Sequence, residues 1–194
     1  MPAEVVEWST SAGLVVNGQT GHPVPFVVRA PRTNEFETLR TIERAAGALF
    51  AELGRDDIAG AEPASVEQLA EYAVAGRAWV VTIDGVDTPA GYAVVDVVDG
   101  VAHLEQISVD PVYGRRGLGS ALVDHVCGWA AAHGYDAVTL TTFADIPLNA
   151  PFYAARGFRV LTEAETGPEL TALVAREADH GLDPAERVTM RRDI

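Results

Sequence analysis

The most informative stretch of the chain is Ile107-Ser108-Val109-Asp110-Pro111-Val112-Tyr113-Gly114-Arg115-Arg116-Gly117-Leu118-Gly119-Ser120. A β-prone run passes into a helix-prone one through a turn rich in glycine and arginine. A helix N-terminus leaves backbone N–H groups unpaired and carries a partial positive charge. Glycines let the backbone approach an anion closely, so several amides can converge on one phosphate group. Arg115 and Arg116 add formal positive charge to a chain whose net charge is −14. The turn is suited to holding a pyrophosphate or a similar anion. A plain strand-to-helix loop would use its glycines for geometry alone. Two adjacent arginines beside two spaced glycines in an acidic chain weigh against that reading. Other phosphate loops fit less well. A P-loop needs a lysine after its last glycine, and none follows Gly119. A dinucleotide fingerprint needs a third glycine where Leu122 stands.

The elements around this turn set its context. Residues 1–25 are dominated by turn formers and read as an N-terminal extension with at most a short hairpin. A short β run covers Phe26–Arg29. Phe36, Leu39, Ile42, Ala46, Leu49, Phe50 and Leu53 recur at helical spacing, with Gly54 as the stop. Ser65-Val66-Glu67-Gln68 has the form of a capping box and opens a second helix. Three β segments follow at 78–83, 90–98 and 101–109. The last two are joined by Asp99-Gly100, a favoured hairpin turn. A helix is expected from Leu118 to His133, a strand from Ala137 to Thr142, a short helix ending before Gly157, a strand over 158–161, a helix over 167–179 and a final strand near 187–190. A strand, a helix and another strand in succession imply a parallel, right-handed crossover. The fold class is therefore α/β (α+β): a mixed, mostly antiparallel sheet of six or seven strands with helices on both faces.

The turn resembles motif A of the GNAT (GCN5-related N-acetyltransferase) superfamily, usually written Arg/Gln-x-x-Gly-x-Gly/Ala. Gly117 and Gly119 match its last two fixed positions. Gly114 stands where the family has Arg or Gln, and Arg115 comes one step late. A second stretch, Asn149-Ala150-Pro151-Phe152-Tyr153-Ala154-Ala155-Arg156-Gly157-Phe158, resembles motif B. Tyr153 and Gly157-Phe158 match, while Asn149 matches in type with a shorter spacing to the tyrosine. The resemblance covers roughly residues 26–161. It implies acetyl-CoA as cosubstrate and an amine as acceptor. It implies that amides from Gly114 through Arg115, Arg116, Gly117, Leu118, Gly119 and Ser120 hold the pyrophosphate. It implies that the backbone of Ile107, Ser108 and Val109 pairs with the pantetheine arm as an added strand would, and it makes Asn149 a further cofactor contact.

Acetyl transfer to an amine needs a base, because an ammonium has no lone pair, and it benefits from an acid at the departing sulfur. By strict alternation His103, Glu105, Ile107 and Val109 share one face of the strand before the turn. A carboxylate in a partly apolar cleft has a raised pKa and can accept a proton near neutrality. Glu105 is the favoured base, with His103 as partner or alternative. A solvated structural glutamate and a satisfied core histidine are the bland readings. The resemblance makes Tyr153 the acid toward sulfur, against a plain aromatic core role. It also implies direct attack, with no acyl-enzyme. Cys127, in a helical apolar run, is expected to be core.

Acceptor recognition is expected from the first helices and from the loop over 54–63 with Arg55, Asp56, Asp57 and Glu62, although solvated charges there are the simpler reading. Trp79, Phe143 and Phe152 are expected mainly in the core. The segment 163–183 is expected to cap the acceptor site. The domain division is 1–25, 26–162 and 163–194. The acidic balance disfavours nucleic acid and anionic membrane as partners. No signal peptide or spanning segment is visible, which makes the cytoplasm the default compartment. The five histidines are scattered, so no metal is expected. The resemblance leaves room for a homodimer. A non-catalytic acyl-CoA-binding sensor is the alternative function.

Overall fold

The computed structural model describes residues 11–14, 25–51 and 54–194. Most of the expected N-terminal extension falls outside these residues. In chain order the elements are β1 (Ser11–Leu14), β2 (Pro25–Arg29), α1 (Phe36–Ala48), α2 (Asp56–Ala59), α3 (Val66–Val74), β3 (Ala78–Ile83), β4 (Val86–Val98), β5 (Val101–Val109), α4 (Leu118–Ala132), β6 (Ala137–Phe143), α5 (Ala150–Ala154), β7 (Arg159–Val160), α6 (Pro168–Asp179) and β8 (Arg187–Asp193).

The strands form one mixed sheet in the order β1-β2-β3-β4-β5-β6-β8-β7. Every neighbouring pair among them is antiparallel except β5 and β6, which α4 joins as a parallel crossover. Strands β2 to β8 make up the expected seven. Ser11–Leu14 adds an eighth by pairing with β2, from Ser11 opposite Val28 to Leu14 opposite Pro25. The helix α1 stops earlier than its apolar spacing suggests. Leu49 N–H bonds back to Ala46 at 3.2 Å, tightening the last turn, and Arg55 N–H bonds to Phe50 at 2.9 Å to reverse the chain.

Alternation along the strands supplies both faces of the sheet. Trp79, Val81, Ala93, Val95, Ala102 and Leu104 pack against Leu118, Leu122, Val126 and Ala130 of α4 and against Tyr153 and Phe158. On the opposite face Val80, Tyr92 and Val94 meet Phe36, Leu39 and Ile42 of α1 and Leu69 of α3. Farther along that face Val98 meets Leu170 and Leu173 of α6.

The connection between β4 and β5 also fixes α6. Asp99 and Gly100 have φ of +50° and +74°, the left-handed pair that a tight hairpin needs. The Asp99 carboxylate accepts from the N–H groups of Glu169 and Leu170 at 2.9 Å each, capping α6 from a distant turn. The Glu169 carboxylate in turn accepts from the Asp99 N–H at 2.5 Å. Replacing Asp99 with alanine should cost roughly 1–2 kcal/mol in urea unfolding, part of it from a left-handed backbone that alanine dislikes. Asp99→Asn, which keeps that backbone preference and one acceptor, should lose less. Equal losses in the two variants would mean that the one acceptor and the backbone preference kept by asparagine contribute nothing.

Candidate active site

The site is built on a break in the ladder. On β4, Val94 and Val95 are consecutive, yet their partners on β5 are Gln106 and Leu104. Glu105 is thus an extra residue on β5, a β-bulge that bends the strand and re-aims side chains. The bulge corrects the expectation of strict alternation. Ile107 and Val109 lie on the α4 side with Ala102 and Leu104. His103 and Glu105 look to the other face, where the nearest approach between them is 3.9 Å. The bend also limits the parallel ladder. β5 and β6 pair only at Ala102 with Val138 and His103 with Thr139. Beyond those residues the strands diverge, leaving a wedge between Glu105–Val109 and Leu140–Phe143.

At the mouth of this wedge the Glu105 side chain is 41% exposed, open enough for a substrate to reach it. Burial among the protein atoms on its remaining sides pushes its carboxyl up to about 7. The negative charges of Asp96 and Glu177 add to the rise, and Arg176 and Arg187 oppose it. His103 differs in kind. Its side chain is only 1% exposed, and burial pulls its imidazole down to about 4. Its Nδ1 lies 2.9 Å from the Thr139 hydroxyl, which donates to the Ala102 carbonyl at 3.4 Å. The arrangement suits an Nδ1–H tautomer, with Nε2 turned toward Glu105. Burial therefore keeps the ring neutral near pH 7 and away from solvent, beside Glu105.

The anion turn follows β5 directly. A short 3-10 turn, Pro111–Tyr113, is capped by the Asp110 carboxylate, which accepts from the Val112 N–H at 2.9 Å. Gly114 is extended, while Arg115 is left-handed at φ +60° and Gly117 at φ +82°. Gly117 is the N-cap of α4, and the conformation is one that a side chain would resist. The N–H groups of Arg116, Gly117, Leu118, Gly119 and Ser120 donate to no backbone carbonyl among the described residues. They form a cradle at the positive end of a helix of 15 residues. Arg116 rests on the Tyr113 ring, with its guanidinium carbon 5.5 Å from the centroid. The Ser120 hydroxyl accepts from Arg156 Nε at 3.1 Å, and Arg156 lies 3.5 Å over the Phe152 ring. That same ring lies beside Gly119, 3.5 Å from where a Cβ would stand, an ordinary packing distance. The anion turn is thereby locked to α5.

Helix α5 carries the motif-B residues. Tyr153 is buried on the α4 side, in edge contact with Phe152 and Phe158 at 5.1 and 5.7 Å. Burial pushes its phenol upward, with Arg156 opposing. Its hydroxyl makes no hydrogen bond among the described residues. Asn149 donates through Nδ2 to the Thr142 hydroxyl at 2.9 Å, tying the start of α5 to β6. Glu105 and Tyr153 therefore flank the wedge from opposite faces of the sheet. Cys127 is buried and its thiol is raised by that burial, as suits a core residue.

Several of the other residues named from sequence lie elsewhere. Trp79 stacks edge-on against His125 and Trp129 at 5.2 Å each, inside the core. Glu62 lies 3.5 Å from Arg44 and 3.9 Å from Arg40 on the α1 surface. The side chains of Asp56 and Asp57 lie outside the described residues. Asp96, Arg176, Glu177 and Arg187, whose charges act on Glu105, carry no motif in the sequence. Only the odd spacing of polar residues on apolar strands could have signalled Asp96. Among the described residues no cluster of His, Cys, Asp and Glu is arranged to hold a metal ion, and no helix is long and apolar enough to cross a membrane.

Residues 46–158 match the model of the Acetyltransferase (GNAT) family. Solved structures share the fold. The ribosomal-protein-S18-alanine N-acetyltransferase from Escherichia coli is 21% identical, with a TM-score of 0.59 over 87% of this chain and 94% of that one. The paia N-acetyltransferase from Thermoplasma acidophilum, solved in complex with coenzyme A, is 15% identical, with a TM-score of 0.62 over 87% and 99%. A GNAT-family acetyltransferase from Listeria monocytogenes is 10% identical, with a TM-score of 0.65 over 94% and 100%.

Proposed function

The chain belongs to the GNAT family of acetyltransferases, and from that premise we propose that it transfers an acetyl group from acetyl-CoA to a primary amine of a small molecule or peptide by direct attack. The observation that carries this reading is Glu105. A carboxyl held at about 7 on a bulge at the mouth of the wedge can take a proton from an ammonium at neutral pH.

Acetyl-CoA supplies the acetyl group as a thioester. The N–H cradle from Arg116 to Ser120 fits its pyrophosphate, since it offers several donors at the N-terminus of a helix whose first turn holds no acidic residue. The unpaired edge of β5 from Ile107 to Val109 can bond an extended arm as a neighbouring strand would. Glu105 accepts one proton from the ammonium. The freed nitrogen forms a bond to the acetyl carbon as the bond from that carbon to sulfur breaks, and the nitrogen's second proton passes to solvent, which leaves a neutral amide. Tyr153 gives its phenolic proton to the departing sulfur and regains one from solvent. His103 packs beside Glu105 and stays neutral throughout. The test is CoA-thiol release from acetyl-CoA across amines, amino acids, aminoglycosides and short peptides. Release with at least one acceptor is expected. Tight acetyl-CoA binding with no release for any acceptor would instead support a non-catalytic sensor.

A further inference from the structure

The charges around Glu105 do not all remain available to a substrate. From β4, Asp96 accepts from the Tyr72 hydroxyl at 2.8 Å and from Arg77 at 2.9 Å. From α6, the Glu177 carboxylate accepts through Oε1 from the Thr141 hydroxyl at 2.6 Å and from Arg187 of β8 at 3.1 Å. From β5, His103 is buried and neutral. Once these partners are matched, one cation is left. Arg176 is exposed on α6 between Leu173, buried against Val98, and Glu177, anchored to β6. It forms no ion pair among the described residues. The Glu177–Arg187 pair is itself incomplete, because Glu177 Oε2 and Arg187 Nε are buried without a hydrogen-bond partner. All 14 basic residues of the chain are arginines, whose planar forks suit a carboxylate.

We infer that the acceptor is a free amino acid, its amine directed to Glu105 and its carboxylate held by Arg176 of α6 with the Arg187 guanidinium behind it. This rests on the acetyl-transfer reading and narrows its substrate class. A polyamine would bring a second ammonium against Arg176, while Asp96 is already bonded to Tyr72 and Arg77 and the unpartnered Glu177 oxygen is buried out of its reach. A peptide N-terminus would offer Arg176 a neutral amide in place of a carboxylate.

The test uses the full chain and acetyl-CoA. CoA release is measured for the common amino acids, each beside its primary amide and its decarboxylated amine, with spermidine included. At least one acid should exceed its own amide and amine in kcat/KM by about tenfold or more, the scale of one charge-assisted contact. Arg176→Ala should lower that acid-to-amide ratio by about tenfold, mainly through KM, and Arg176→Lys should restore part of it. Amides or spermidine equal to or better than every acid would overturn the inference while leaving acetyl transfer to amines intact. An unchanged ratio in Arg176→Ala would overturn it too. No release with any amine would count against acetyl transfer itself, and the inference would fall with it.

Discussion

Replacing Glu105 with glutamine should lower kcat by about 10²–10⁴-fold at pH 7, the usual contribution of a placed general base, while acetyl-CoA binding is retained. The amide keeps the size of the side chain and the bulge that carries it, and removes only the proton acceptor. The pH profile separates this from simple damage. In the wild type, after correction for the acceptor's own ionisation, activity should climb tenfold per unit to a plateau beginning near pH 7, because burial holds the carboxyl at about 7. That limb should vanish in the variant. Stability should move the other way. The fold disfavours the charged carboxylate, so its folded pKa lies above the ordinary value of 4.5, and the wild type loses stability as pH rises from about 4.5 through about 7. Glu105→Gln should therefore raise the melting temperature at pH 8 and leave it unchanged near pH 4. Full turnover in the variant would remove Glu105 from the base role. A limb that persists near pH 7 without Glu105 would assign the proton to another group.

That carboxyl shows how far sequence reasoning reaches here. Its type and its strand were legible, because Glu105 precedes an anion turn that Gly117 and Gly119 mark out. Its neighbours were not. Strict alternation placed Ile107 and Val109 beside it, and one inserted residue in the ladder reverses that arrangement. A bulge leaves no local trace when both flanks remain β-prone, since it is a property of the pairing of two strands. The wedge was hidden for the same reason, as parallel pairing ends after two residue pairs. Local signals did better. Asp99-Gly100 announced a left-handed hairpin turn, and Ser65 with Gln68 forms the capping box that its spacing suggests. The capping of α6 by Asp99 spans 70 residues and has no sequence signature.

The contribution of the C-terminal residues follows from this topology. The strand β8 enters the sheet between β6 and β7, so Arg187 stands beside Thr141 and Glu177 is drawn onto both. Helix α6 is held at its start by Asp99 and near its end by Glu177. The backbone of α6 at Arg176 is therefore held between the β4–β5 turn and the β6–β8 ladder. The family match ends at residue 158, while these charges come from residues 176, 177 and 187. Burial and Asp96, both within the matched residues, raise the Glu105 carboxyl most, and the segment beyond adds the smaller, partly opposing effects of Glu177, Arg176 and Arg187.

Replacing Tyr153 with phenylalanine should lower kcat by about 10²-fold, the lower edge of what a placed proton donor contributes. Unfolding stability should stay within about 0.5 kcal/mol. The ring keeps its edge contacts with Phe152 and Phe158, and the lost hydroxyl makes no hydrogen bond among the described residues. Because burial raises the phenol, it stays protonated throughout the working range. The variant should therefore be slower by the same factor at every pH, with the limb near pH 7 unmoved. The deficit should also depend on the leaving group. An acyl donor whose thiol is more acidic needs less help from a proton, so Tyr153→Phe should lose little with such a donor and most with acetyl-CoA. A deficit independent of the thiol would make Tyr153 a core aromatic. Combining the variants orders the two proton transfers. If Glu105 and Tyr153 act in one concerted step, the double variant should lose much less than the sum of the two single losses, since each alone already blocks that step. If nitrogen is deprotonated before sulfur departs, only the slower event limits kcat. One single variant would then account for nearly the whole effect of the pair, and its identity would name the slow step.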